Sequence, residues 1–524
     1  MHRRIEEHPV LEQPRREHVS FTWNGRVMKG FAKEMVSSAL IASGIDIFGH
    51  HFKDNSPQGI FCANGQCAQC LVIIDGKPVK SCMTPLEEGM AIQSVEGLPQ
   101  LPLDKDPVRG NDICIEETDV LVIGGGPAGL SASLELGKMN IRTLLVDDKD
   151  RLGGKLVLQT HKFFGSVEDS HAGTRGYEIG NILAREISKY PSVSVWLDST
   201  VVAVYSDGLV GVVKGRTYRL VRPRGLLVAT GARERMLSFL GNSLPGVYGA
   251  GAFQTLVNRD LIRCSQKVMI VGGGNVGLIA GYHAIQAGIE VVGLVEALPA
   301  VGGYRVHADK LMRLGVPIHT RHTVVSANGK DQVESVTIAE LDENWNTVKG
   351  TERTFAVDTV LIAVGLSEVD EFYHKAKAFN FTVRSAGDAQ EIAEASAAMF
   401  SGKIQGLELA RDMGYDVGDI PGEWNEKLTV LKSRPGREGA PSVPKMEEGV
   451  MPVFHCFQEV PCNPCTSVCP VDAIHTHDND IMKLPFFEED KRCIGCLSCV
   501  GICPGLAITV VDYRKDAHNP TVTL

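Results

Sequence analysis

The sequence predicts a multidomain chain of mixed α/β and α+β class, on three observations. At 524 residues it is too long for one hydrophobic core. An apolar strand running into a glycine loop and then a helix occurs twice, at Asp119 and again at Lys267, as a repeated βαβ unit. Twelve of the 14 cysteines gather in two short regions, one toward each end of the chain. Hydrophobic residues at 44%, charged residues at 22% and 55 glycines suit ordinary α/β domains rather than a disordered chain or a coiled coil.

The elements follow in order. Residues 18–100 form a first domain, with strands over 19–23 and 26–30 around Asn24-Gly25 and a second hairpin, 71–74 with 77–80, around Asp75-Gly76. Asn-Gly and Asp-Gly supply the two positive-φ residues that a tight hairpin turn demands. Residues 32–43 read as a helix, and a Pro- and Asp-rich linker covers 98–111. Residues 226–231 and 359–365 are both apolar strands ending on glycine, so a first nucleotide-type domain is expected over 116–239 and 358–414. A second of the same kind is inserted over 240–357. Pro421, Pro435, Pro441 and Pro444 mark 421–450 as a linker. A small cysteine-rich module, 451–524, ends the chain.

Charge and hydropathy narrow the function classes. A net charge of −10 without a cluster of Lys and Arg argues against a nucleic-acid partner. The longest uncharged run, 268–289, is long enough to span a bilayer. It contains three successive glycines, Asn275 and His283, so a nucleotide-binding fold explains it better and no membrane span is expected. Met1 to His18 is dense in charge and lacks the apolar stretch of a signal peptide, which places the expectation in the cytoplasm. Cysteines in that compartment point to metal or redox chemistry rather than disulfides.

Cys62-x4-Cys67-x2-Cys70, followed by Cys82, is the plant-type spacing for a [2Fe–2S] cluster. Gly59 and Gly65 permit the tight turns of such a loop. A zinc site or scattered core cysteines remain the alternatives. Cys493-x2-Cys496-x2-Cys499-x3-Cys503-Pro504 is the bacterial four-cysteine run for [4Fe–4S] clusters. Upstream stand Cys456 and Cys462-x2-Cys465-x3-Cys469-Pro470, the first displaced from its regular place at Glu459. In two-cluster ferredoxins the fourth cysteine of each run ligates the other cluster. One set is therefore Cys462, Cys465 and Cys503 with Cys456, the other Cys493, Cys496, Cys499 and Cys469. Ala473-Ile474 and Ala507-Ile508 are suited to packing on the clusters. Cys114 and Cys264 stand alone and read as buried small apolar residues.

The first glycine loop places Gly124, Gly126 and Gly129 between a strand and a helix, with Asp147 ending the next strand. Glycines let the backbone approach a pyrophosphate, the helix N-terminus takes its charge, and the carboxylate can bind ribose hydroxyls. Gly153-Gly154, Thr230-Gly231 and Gly387-Asp388 complete a set suited to FAD, with a structural unit holding only an adenine nucleotide as the alternative. The second loop has Gly272, Gly274 and Gly277 with Glu296. An acid there without a nearby arginine favours NAD over NADP, though such domains can keep the fold and lose the nucleotide. The cysteine pair of a thioredoxin-reductase or dihydrolipoamide-dehydrogenase site is missing between the loops. Phe163 and Phe164 read as core packing.

These motifs in this order resemble the α subunits of heteromeric amine and imino-acid oxidoreductases: sarcosine oxidase, dye-linked proline dehydrogenase, opine oxidase and hydrogen cyanide synthase. The resemblance implies a β-grasp [2Fe–2S] domain, nested Rossmann-like FAD and NAD domains and a two-cluster ferredoxin domain. It implies an electron-transfer subunit serving a D-amino-acid-oxidase-like FAD subunit that oxidises the substrate, a soluble electron acceptor, and in some members FMN between subunits. The C-terminal two-cluster module departs from the usual single-cluster or folate-type domain. No pattern for amine oxidation is present, so no catalytic residue is named. Two other readings stand beside this one. The first is a self-contained NAD(P)H:acceptor reductase similar to the small subunit of glutamate synthase. The second is a scaffold in which only the clusters are redox-active.

Overall fold

The computed structural model describes residues 3–14, 16–100, 113–215, 217–433, 442–445, 449–457, 459–513 and 522–523. The chain divides into two compact units, Met1–Val108 with Glu234–Leu366, and Arg109–Arg233 with Ser367–Leu524.

The first unit opens on a five-stranded mixed sheet in the order Arg26–Phe31, His18–Trp23, Ala91–Gln93, Leu71–Ile74, Lys77–Lys80. Its two hairpins turn where the dipeptides demand: Asn24 and Gly25 have φ of 48° and 81°, Asp75 and Gly76 of 50° and 76°. The helix is shorter than the expected 32–43, running Val36–Ala42 with every residue buried. The start is delayed because Lys33 sits at φ 63° and the Glu34 carboxylate is taken by a bidentate pair with Arg4, at 2.7 and 2.8 Å. The same unit holds an all-parallel sheet in the order Val247–Gly249, Thr359–Ile362, Lys267–Val271, Glu290–Glu296, Ile318–Thr320. The uncharged run 268–289 is divided there between a strand and the helix Asn275–Gln286. Among the described residues no helix is long and apolar enough to cross a membrane.

The expected resumption of the first nucleotide domain at Asp358 falls instead at residue 367. The Thr359–Ile362 strand pairs with Lys267–Val271, inside the insert. Asp358 is fixed there too, accepting from Ser265 Oγ and the Gln266 and Lys267 amides. An apolar strand ending on glycine does not state which of two like sheets it joins.

The second unit is built on a seven-stranded sheet. Val193–Trp196, Thr143–Val146, Ile115–Ile123, Thr217–Val228 and Thr382–Ser385 run parallel, and Thr217–Val228 continues into the antiparallel strands Val210–Lys214 and Ser199–Val204. Helices Pro127–Lys138 and Ala395–Asp412 pack on each other above it. The segment read as linker, 421–450, contains a helix, Gly422–Ser433. Only Pro421 precedes that stretch, at a helix start where proline does no harm, and the breakers at 435, 441 and 444 all follow it. Residues 434–441 and 446–448 of that segment, and 101–111 of the earlier linker, lie outside the described residues. In the C-terminal module Gly449–Phe454 pairs with Ile508–Tyr513, and Phe454, Ile474, Phe487 and Ile508 form one core with Cys465 and Cys499. Cys114, expected to be buried, is exposed at the solvent end of the Ile115–Ile123 strand, whereas Cys264 is buried.

Candidate redox and nucleotide sites

The N-terminal cysteines come together. Cys62, Cys70 and Cys82 are buried and Cys67 is half-buried. Thiol contacts run Cys67 to Cys62, Cys62 to Cys82, and Cys82 to Cys70. Hydrogen bonds from its neighbours hold the Cys62 thiol far below its usual range and bring Cys70 to about 7, while the donating Cys67 and Cys82 are driven up. Gly65, at φ 81°, makes the turn between the ligand positions. Among the described residues no group of three or more His, Cys, Asp or Glu is arranged to hold a metal ion. Four thiols strung in pairs form a soft donor set suited to a cluster. Phe61 and Cys62 share a core with Val247, Met269 and Val271, and the Gly249 amide donates to the Phe61 carbonyl at 3.0 Å. The cysteine loop is thus seated at the end of the unit's parallel sheet.

The first glycine loop is built by close backbone approach. A Cβ at Gly129 would lie 1.9 Å from the Gly124 carbonyl oxygen, and one at Gly124 would lie 2.3 Å from that of Ala229. Gly126 caps the helix Pro127–Lys138. Gly154, at φ 54°, rests against Gly126, and Gly387 against Ala128, so the Gly387-Asp388 turn packs on the same helix start. Thr230 donates to the Val369 carbonyl beside Gly231. Asp147 accepts from the amides of Gly125 and Lys149 at 2.6 and 2.9 Å. Burial and then Asp148 push its carboxyl up to about 6; burial does the same for Asp388, also to about 6. The residues predicted for FAD therefore surround one helix N-terminus, the geometry a pyrophosphate needs. Phe163 and Phe164 are buried in the core.

The second loop repeats this construction. A Cβ at Gly277 would lie 2.0 Å from the Gly272 carbonyl oxygen, Gly274 caps the helix Asn275–Gln286, and Glu296 accepts from the Gly273 and Leu298 amides, each at 2.8 Å. Gly303, which sequence reasoning missed, donates to the Gly273 carbonyl at 2.9 Å, as Gly153 does to Gly125 at 2.8 Å. The signal was available. A Gly-Gly pair follows the acidic residue in both halves of the repeat, Gly153-Gly154 after Asp147 and Gly302-Gly303 after Glu296.

The C-terminal cysteines form two groups. Cys456, Cys465 and Cys503 lie near enough to Cys462 to act on it electrostatically, and burial, then these neighbours, drives the Cys462 thiol well up. Cys469, Cys493, Cys496 and Cys499 line one small cavity of about 20 Å³ with Pro470 and Phe487. Burial takes Cys499 up to about 11, and hydrogen bonds from Ser498 hold Cys496 below its usual value. The two runs are related residue by residue. Cys469 Sγ accepts from the Ala473 amide at 3.3 Å and Cys503 Sγ from the Ala507 amide at 3.2 Å, with Asp472 and Leu506 each at φ 51° between them. An amide directed at sulfur stabilises thiolate and tunes a cluster's potential.

Comparison with known proteins bears on the N-terminal cysteine domain and on the glycine-loop domains. Residues 16–97 match the 2Fe-2S iron-sulfur cluster binding domain. The chain is 27% identical over 460 residues to sarcosine oxidase subunit alpha of Rhizobium meliloti (strain 1021), covering 75% of this chain and 43% of that protein. It is 26% identical over 326 residues to hydrogen cyanide synthase subunit HcnB of Pseudomonas aeruginosa, covering 55% and 70%. The chain thus spans less than half the length of the sarcosine oxidase subunit it matches. L-Proline dehydrogenase from P. horikoshii shares the fold, at a TM-score of 0.58 and 21% identity over 81% of this chain and 79% of that one. Residues 118–389, more than half of the chain, match the pyridine nucleotide-disulphide oxidoreductase family. The chain is an oxidoreductase that belongs to that family.

Proposed function

We propose that the chain is the FAD- and iron–sulfur-containing electron-transfer subunit of a heteromeric dehydrogenase acting on an amine, amino acid or imino acid. The observation that carries this reading is the excess of carriers over substrate chemistry. Twelve of the 14 cysteines fall into three thiol groups, in a chain that also carries two dinucleotide-type glycine loops. Proteins similar along most of this chain are named as subunits. A flavin accepts two electrons at once, and clusters pass them singly. The thiols of Cys62, Cys67, Cys70 and Cys82 suit a [2Fe–2S] cluster, with one pair for each iron. The sets Cys456/462/465/503 and Cys469/493/496/499 suit two [4Fe–4S] clusters. The substrate would be oxidised by a D-amino-acid-oxidase-like FAD subunit, with FMN between subunits as in some of the resembled complexes, and a soluble carrier would take the electrons. The isolated chain should show no oxidation of proline, sarcosine or an opine with a dye acceptor; turnover at an ordinary enzymatic rate would overturn the reading.

The second reading, an NADH:acceptor reductase, is favoured by one observation: Glu296 holds the second loop as Asp147 holds the first. Glu296 would repel a 2′-phosphate, so titration should show NAD or another adenine nucleotide bound in preference to NADP. Rapid bleaching of the bound flavin by NADH would move the assignment to this reading.

Asp147 gives the FAD site a pH dependence. Its ionised carboxylate would accept from ribose hydroxyls, and its value of about 6 means that this form is lost as pH falls through 6. FAD retention, measured by released flavin fluorescence, should fall over that range. The fold itself should gain rather than lose from the same proton, because a carboxyl raised above its unfolded value binds protons more tightly when folded. Asp147→Asn should remove this pH dependence and weaken FAD about tenfold or more at neutral pH.

A further inference from the structure

The two C-terminal thiol groups sit in unlike surroundings within their unit. Asn463, between Cys462 and Cys465, accepts from the Val167 amide at 3.1 Å and donates to the Glu168 carboxylate at 3.3 and 3.4 Å. Val167–Ser170 is a short helix in the loop that joins Phe164 to the helix Gly176–Ile187. That loop is fixed from three other sides. The Gly165 amide donates to Ser396 Oγ at 2.9 Å, Asp169 pairs with Lys427 at 2.7 Å, and Gly173 lies under Pro464 and Ile502. Gly180 of the helix that follows packs on Gly153 of the first dinucleotide cradle. A continuous packed path therefore joins that cradle to the Cys462 group.

The other group reaches solvent at one of its cysteines. Of the twelve cysteines in the three sets Cys496 alone is exposed, and Ile494 beside it is 59% exposed.

We infer that the C-terminal module is wired in series from the FAD domain, with the Cys456/462/465/503 group inward, the Cys469/493/496/499 group at the solvent end, and Asn463 as the positioning residue that holds the inner group on the FAD domain. The inference rests on the proposed reading that both groups hold [4Fe–4S] clusters. Two electrons pass one at a time, each reducing the inner centre, then the outer, then a one-electron carrier protein outside the chain. The two protons of the reduced flavin go to water. Loss of the Asn463 hydrogen bonds, one of them to a charge, releases the module from its seat.

The test uses the full chain, purified anaerobically and reduced, with the two [4Fe–4S] signals assigned by Cys496→Ser and Cys462→Ser. A soluble dysprosium chelate should broaden the signal altered by Cys496→Ser several-fold more than the signal altered by Cys462→Ser. Equal or reversed broadening overturns the order. Absence of both signals overturns the two-cluster reading as well, which separates the two failures. Asn463→Ala should keep its iron and both signals yet slow electron equilibration between photoreduced flavin and the clusters by about tenfold. Asn463→Asp, which keeps the acceptor and loses the donor, should fall between. An unchanged rate in both variants overturns the role of Asn463; if Asn463→Ala loses iron, the Asn463→Asp rate decides.

Discussion

Anaerobically purified protein is expected to carry about ten irons per chain, two in one cluster and four in each of two others. On reduction it should show a plant-type [2Fe–2S] signal and a coupled pair of [4Fe–4S] signals at low temperature. The expectation comes from geometry as well as spacing. Cys456 falls three residues before the regular position, yet its thiol stands among those facing Cys462. Cys456→Ser should therefore weaken one [4Fe–4S] signal and leave the other two centres intact. An unchanged spectrum would move the fourth ligand elsewhere. Iron near two per chain would remove the C-terminal clusters from the account altogether.

The second large effect concerns a single methyl group. Gly129→Ala puts a Cβ 1.9 Å from the Gly124 carbonyl oxygen, and the clash is with backbone, which cannot rotate away as a side-chain end can. Gly124 is itself held at φ 105° and packed on Ala229, so the loop has nowhere to retreat. The variant should lose nearly all its FAD, read as flavin per chain by absorbance after heat release. Gly277→Ala makes the equivalent clash in the second loop, at 2.0 Å from the Gly272 oxygen. It should keep its FAD and lose dinucleotide binding at the second site. The pair of variants assigns each nucleotide to its loop.

The features legible in the sequence were those in which one residue type meets one local demand. Asn24-Gly25 and Asp75-Gly76 announce their turns because both positions need positive φ. The cysteine runs announce their groups because ligand spacing is local. The failures were non-local. The strand Thr359–Ile362 looks like the strand ending at Val228, and only sheet pairing assigns it to the insert. The helix Gly422–Ser433 was hidden among prolines that in fact flank it. Asn463 carried no sequence signal at all, since its partners lie nearly three hundred residues away in the chain. Gly302-Gly303 is a local signal too, a glycine pair after the acidic residue as in the first half of the repeat.

Electrons from an amine should reach this chain only through a partner. The measurement is anaerobic addition of the amine substrate to two preparations, the chain purified alone and the chain co-purified from native cells, with flavin and cluster absorbance followed together. The native preparation should contain a second flavoprotein, and its flavin and clusters should bleach on addition. The isolated chain should stay oxidised until dithionite is added. Direct bleaching of the isolated chain by proline, sarcosine or an opine, with no second flavoprotein in the native preparation, would contradict it.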